Sequence, residues 1–233
     1  MSKYLSPQSI QFLRELKKNN TVLKGRNWYQ ANKDRYQDLI KDPLLHICNE
    51  VGKNLFKDVP NLHVQPSRNV YRLHRDLRFT NDHRPFKEWI AFHLWLGKPS
   101  DKKDRPGFYF HLEPKEFFLG AGKWHFTPDQ LKTFRACLLN DYQTKTLKSV
   151  LKKTTITNTL LDPHLKTIPK KYRSESLYPE GALYKGLCIY QSHHKVPKLV
   201  YSHKIVDHVV KSFKTMIPLV QWLDKNVCNP MEM

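Results

Sequence analysis

Four arginines, one lysine and two aspartates fall within the sixteen residues Arg72-Leu73-His74-Arg75-Asp76-Leu77-Arg78-Phe79-Thr80-Asn81-Asp82-His83-Arg84-Pro85-Phe86-Lys87. Guanidinium groups crowded this closely repel one another unless carboxylates or a bound anion lie among them. Asp76 and Asp82 supply part of that compensation. A phosphate or carboxylate ligand would supply the rest, because guanidinium forks match its oxygens two at a time. Three readings follow from the same residues: an internal salt-bridge network clamped by Asp76 and Asp82, an anion-binding or catalytic site, and a contact with a nucleic-acid backbone. In the second, Arg72, Arg75, Arg78 and Lys87 hold the anion and Asp76 orients the arginines. Asp82 belongs to the same set, and Tyr109 and His111 line the pocket from a neighbouring strand. If chemistry occurs there, His111 or Asp76 accepts the proton and the arginines stabilise developing negative charge.

Other polar groups carry less information. Gly120-Ala121-Gly122 reads as a β-turn whose amides could cradle an anion, but it matches neither a P-loop nor a dinucleotide fingerprint. Glu113-Pro114-Lys115, with Asp82 upstream, has a faint likeness to the acidic-x-lysine set of metal-dependent nucleases. Pro114 fits that badly, since it cannot donate to a central ladder. Among twelve histidines, His111, His125, His193 and His194 are the candidates for metal binding, and none has a zinc-site spacing. No metal and no cofactor is therefore assigned. Lys145, Lys148, Lys152, Lys153, Lys166, Lys170, Lys171 and Arg173 form a basic run flanked by Tyr142 and Tyr172, where single-stranded bases could stack. A solvated helix face is the plainer reading of that run.

Composition sets the partners. The chain has 233 residues, and 40 Lys plus Arg against 21 Asp plus Glu give a formal charge of +19. That excess attracts polyanions, so a small anionic ligand and nucleic acid are both admissible. No stretch is long and apolar enough for a membrane span. Cys48, Cys137, Cys188 and Cys228 form no C-x-x-C pair, and Met1 to Pro7 is polar, which leads to the expectation of reduced thiols in a cytoplasmic protein.

The elements that would position these groups read as an α+β fold: helices at both ends packed on a central, mainly antiparallel sheet. A single domain is expected over 1–233, helical over about 6–56, sheet-containing over about 67–122 and helical again over about 127–228. Ser6-Pro7 caps a helix carrying Ile10, Leu13 and Leu16. A second helix starts near Asn27 and breaks at Asp42-Pro43, after which Leu44, Ile47, Cys48, Val51 and Leu55 face inward. Val70–Leu73 reads as a strand leading into the arginine-rich loop. The alternation of Ile90, Phe92, Leu94 and Leu96 with Ala91, His93 and Trp95 predicts a half-buried strand, with a helix as the alternative because no proline or glycine interrupts the run. Phe108–Leu112 and Phe117–Leu119 pair about a turn at Pro114. Thr127-Pro128-Asp129-Gln130 is a capping box. A basic helix follows from about Thr144 to Lys153, then a turn-rich stretch, a strand at Leu187–Tyr190, and a long helix from about Ser202 that Pro218 kinks or splits.

The pattern Arg-x-x-Arg-Asp-x-Arg-Phe-Ser/Thr-x-Asp-x-x-Pro-Tyr/Phe-Lys, met by Arg72, Arg75, Asp76, Arg78, Phe79, Thr80, Asp82, Pro85, Phe86 and Lys87, resembles the hallmark of DUF2461, a family of conserved hypothetical proteins. Asn19-Asn20, Arg26-Asn27-Trp28-Tyr29, Tyr109–Glu113 with Gly120-Ala121-Gly122, and the end through Pro218 and Trp222 resemble its flanking features. The likeness runs from about Phe12 to Leu223, with Thr21 to Gly25 as a short insertion. His83-Arg84 departs from the family's more usual lysine and small residue. The resemblance implies a shared fold and carries no settled activity.

Overall fold

The computed structural model describes residues 3–79 and 81–229, so Thr80 of the arginine motif lies outside the described residues. Ser6 and Pro7 open helix α1 (Pro7–Asn19), which buries Ile10, Phe12, Leu13 and Leu16. The break predicted at Asp42-Pro43 does not occur. Helices α2 (Gly25–Ala31) and α3 (Lys33–Tyr36) lead through a π-helical turn at Gln37–Lys41 straight into α4 (Asp42–Phe56). Pro43 has no N–H to offer the carbonyl four residues before it, that of Leu39. The Ser9 hydroxyl donates to that carbonyl at 2.6 Å instead. With the orphan satisfied from α1, the chain stays helical through the proline.

A short helix α5 (Pro66–Asn69) precedes the segment predicted as a strand, and here too the structure corrects the expectation. Val70–Leu73 is extended but makes only isolated bridges, Val70 with Phe92 and His74 with Phe86. The Tyr71 N–H donates to Ala91 and the Lys87 N–H to Leu73. Between those pairings one side advances two residues and the other four, which is a bulge. It interrupts the ladder and leaves Glu88 and Trp89 unpaired, and the arginine-rich residues form the hairpin loop beyond it.

The sheet is built from β1 (Ile90–Trp95), β2 (Gly107–Leu112), β3 (Phe117–Lys123), β4 (Thr159–Leu160) and β5 (Leu187–His193), in the order β1-β2-β3-β5-β4 with every pair antiparallel. The remaining α-helices are α6 (Pro128–Cys137), α7 (Asp141–Thr154), α8 (Lys170–Glu175) and α9 (Lys204–Leu223). The capping box is formed: the Gln130 N–H donates to the Thr127 hydroxyl at 3.2 Å. Pro218 lies inside α9, which neither splits nor ends there.

Register sorts the sheet into two unlike faces. Phe92, Phe110 and Leu119 share one with Phe108 and Phe117, and all five are buried. Phe108 meets Phe213 of α9 at 5.2 Å between ring centroids. Burying each such ring stabilises the fold by roughly 1.5–3 kcal/mol. The opposite face carries His93, Tyr109, His111, Phe118, Gly120, Gly122, Cys188 and Tyr190. Gly120-Ala121-Gly122 is thus not a turn but the middle of β3. Gly122 has φ 129°, and a Cβ there would lie 2.1 Å from the Leu187 carbonyl, so glycine permits the close approach of β5. Strand β1 is buried on both faces rather than half-buried, because α5 lies against it, His63 stacks on Trp95 at 4.5 Å, and Val70 and Tyr71 pair along its edge. Among the described residues no helix is long and apolar enough to cross a membrane, and all four thiols are free.

Candidate anion-binding site

The hairpin carries two separate ion clusters, each centred on one aspartate. Arg78 grips Asp76 with Nε at 3.0 Å and Nη2 at 2.8 Å, and Arg72 approaches the same carboxylate at 3.5 Å. Arg75 and Arg84 meet on Asp82 at 3.0 and 2.7 Å, and Arg84 also bonds Glu88. Hydrogen bonds from Arg78 and Arg84 hold the Asp76 and Asp82 carboxyls well below the usual carboxylate range. Asp76 is therefore a poor proton acceptor. Arg72 and Arg78 are 66% and 75% exposed, against 22% for Arg75, so the first cluster sits in solvent and the second braces the loop.

Arg75 and Asn20 fix where the hairpin sits. Arg75 Nη2 donates to the Phe86 carbonyl at 3.1 Å, and its buried Nε has no partner among the described residues. Buried Asn20 donates to the same carbonyl at 2.8 Å and accepts from the Phe86 N–H at 3.1 Å. Phe86, fully buried, packs on Tyr29 at 4.7 Å. The hairpin is thereby stitched to α1 and α2.

Lys87 leaves this network and turns the other way. Its ammonium donates to the Arg72 carbonyl at 2.9 Å and lies 5.4 and 5.1 Å from the ring centroids of Tyr71 and Trp89. Lys102, from the loop between β1 and β2, folds back to 4.6 Å from the Tyr71 ring and donates to the Arg68 carbonyl at 3.0 Å. Both lysines are half-buried. Among the described residues no carboxylate oxygen comes within the 4.0 Å of an ion pair to either ammonium. Burial lowers both pKa values, and for Lys87 the nearby cations Arg72, Arg75 and Lys102 lower it further. Cation–π contacts return only about 0.5–2 kcal/mol each, whereas desolvating an ammonium costs several kcal/mol. The positive charge is left partly uncompensated.

Beside the lysines, four rings close a circuit. Tyr71 contacts Trp89 and Tyr109, both at 6.1 Å, and His111 contacts Tyr109 at 5.9 Å and Trp89 at 5.0 Å. The Tyr109 hydroxyl and His111 Nδ1 are 3.1 Å apart. Burial pushes the His111 pKa down to about 4, so the imidazole is neutral at pH 7, and it pushes the Tyr109 hydroxyl up.

The residues singled out in the sequence thus divide. Arg72, Arg75, Asp76, Arg78 and Asp82 lie in the two ion clusters, while Lys87, Tyr109 and His111 lie on or beside the aromatic circuit. Tyr71, Trp89 and Lys102 were not singled out. Trp89 stands two residues past the motif, a usable signal, but nothing in the sequence joins Lys102 to Tyr71. His193 stacks on Phe117 on the opposite sheet face from His111, and among the described residues no three His, Cys, Asp or Glu side chains gather to hold a metal ion. Glu113, Pro114 and Lys115 lie in the β2–β3 turn, where the Glu113 N–H donates to Glu116 at 2.9 Å, and among the described residues neither Glu113 nor Lys115 forms an ion pair with Asp82 or its arginines.

Comparison with known proteins finds no match among curated proteins or solved structures. It does find the profile of the conserved hypothetical proteins DUF2461, which matches residues 8–222. With that match covering most of its length, the chain belongs to the conserved hypothetical protein family DUF2461.

Proposed function

We propose that the protein binds a small phosphorylated or carboxylated ligand whose anionic group sits at Lys87 and Lys102 and whose remainder rests on the aromatic circuit. One observation carries the reading: two half-buried ammonium groups share the Tyr71 ring, and among the described residues no carboxylate forms an ion pair with either. An arriving anion removes the uncompensated charge, and its oxygens accept from both lysines. Arg72 and Arg75 add long-range attraction and make no direct bond in this reading.

The arrangement also fits proton transfer. With its proton on Nδ1, His111 donates to the Tyr109 oxygen and keeps the Nε2 lone pair free to accept. An anion bound nearby raises the His111 pKa from about 4 towards neutrality and improves it as a base. A thermal-shift screen against phosphate monoesters and dicarboxylates tests the reading, since a ligand of the native state raises Tm. At least one such compound should stabilise the wild type and not Lys87→Met/Lys102→Met. Stabilisation that persists in the double variant would sink it.

The second reading, nucleic acid at Lys145–Arg173, has weaker support. Lys145 pairs with Asp141 at 2.7 Å, Lys148 donates to the Leu177 carbonyl, and Arg173 donates to the Ile168 carbonyl. Arg135 already covers the Tyr172 ring at 5.6 Å.

A further inference from the structure

Away from the lysine pair, two cavities of about 490 and 370 Å³ adjoin along α1. Arg14, Pro114 and Lys115 line both, so they form one groove between α1 and the β2–β3 turn that continues to Tyr201. Its charge is lopsided. Of the carboxylates in the first compartment, Glu15 is held by Arg35 at 3.0 Å, and Glu88 by Arg84 and by Lys17 at 3.5 Å. Among the described residues only Glu113 is without an ion pair there, and none lining the second compartment carries a carboxylate. Arg14, Lys18, Lys115 and Lys195 face the groove, each without an ion pair among the described residues. The rest of the second compartment is lined by Ile10, Pro114, Val196 and Tyr201, with the His194 imidazole as its one further polar side chain.

We propose that this groove binds single-stranded nucleic acid, with a phosphate on Arg14 and Lys115 where the compartments meet and a base against Tyr201. Cations along an open groove track a phosphodiester chain, and an aromatic ring among apolar side chains takes a base face. A duplex keeps its base faces stacked inside and offers none to Tyr201. An acidic peptide would use the cations and leave the aromatic compartment without a matching planar group. The two adjoining volumes call for an oligomer rather than a mononucleotide.

Fluorescence anisotropy with labelled oligothymidylates of one to eight nucleotides, over a series of salt concentrations, tests this. Affinity should rise with length to about four nucleotides, and log K should fall against log salt with a slope of about −2, as expected for about three phosphate contacts on a single strand. Arg14→Glu/Lys115→Glu should weaken binding at least tenfold, and Tyr201→Leu about fivefold through lost stacking. Lys41→Glu/Lys57→Glu makes the same change in net charge on exposed positions outside the groove, the hairpin and the Lys145–Arg173 run, and should cost less than threefold. Lys87→Met/Lys102→Met should leave oligonucleotide binding unchanged, which separates this groove from the small-anion site. Equal losses in the two charge-reversed variants, a flat salt dependence, or equal affinity for poly-glutamate would each overturn the proposal.

Discussion

Two cationic regions lie side by side on this molecule and differ in one respect. The arginines of the hairpin each meet an aspartate, whereas Lys87 and Lys102 meet aromatic rings and backbone carbonyls. In the first region every guanidinium is paired with a carboxylate, and that pairing holds a loop in place. The second is half-buried and unsatisfied, a state in which an incoming anion gains most. In the proposed reading the dense run of arginines marks architecture, and the single lysine at its end marks the candidate site.

The largest effect that separates the two regions is on anion affinity. Lys87→Met/Lys102→Met should weaken binding of any stabilising phosphate or carboxylate compound by about 100-fold in calorimetry, as removal of direct charged partners does. Retained affinity would erase the distinction. Next is stability: Asn20→Ala leaves the Phe86 N–H with no acceptor and removes one donor from its carbonyl, at a cost of about 2 kcal/mol. Denaturant unfolding should show that loss, and an unchanged midpoint would mean the hairpin is not stitched as described.

How much of this was legible in the sequence depends on range. The helix start at Ser6-Pro7, the capping box at Thr127, the amphipathic stripes and the β2–β3 pairing are local, and residue types and periodicity revealed them. The failures were non-local. Pro43 looked like a break because the Ser9 hydroxyl that rescues Leu39 comes from another helix. Val70–Leu73 looked like a regular strand because a bulge on its partner leaves no mark in its own residues. Gly120-Ala121-Gly122 looked like a turn because the crowding carbonyl of Leu187 lies on β5. In the candidate site, the motif pointed to the hairpin and Lys87, and the neighbouring strand to Tyr109 and His111, while Trp89, two residues past the motif, was missed. Lys102 reaches Tyr71 only through the fold.

A smaller effect concerns acid. The folded-state pKa of His111 is depressed to about 4 from 6.5, so the unfolded chain binds the extra proton first. Its contribution to stability is complete above about pH 6.5 and is lost as pH falls towards 4. Tm should decline across that window, and less steeply in His111→Gln. An identical profile in the variant would place His111 in solvent. Smallest of all, Arg72→Ala and Arg78→Ala should change anion affinity by less than about threefold, because both guanidiniums are exposed and engaged by Asp76. A large loss in either would move the site back onto the arginines.

The most direct test is to titrate the lysine side chains by NMR, with Lys87 and Lys102 assigned by single substitution, in the absence and presence of inorganic phosphate. Uncompensated burial predicts that both titrate below the ordinary lysine value of 10.5 and move upward when phosphate binds. Two lysines that titrate at the ordinary value and ignore phosphate would contradict the account.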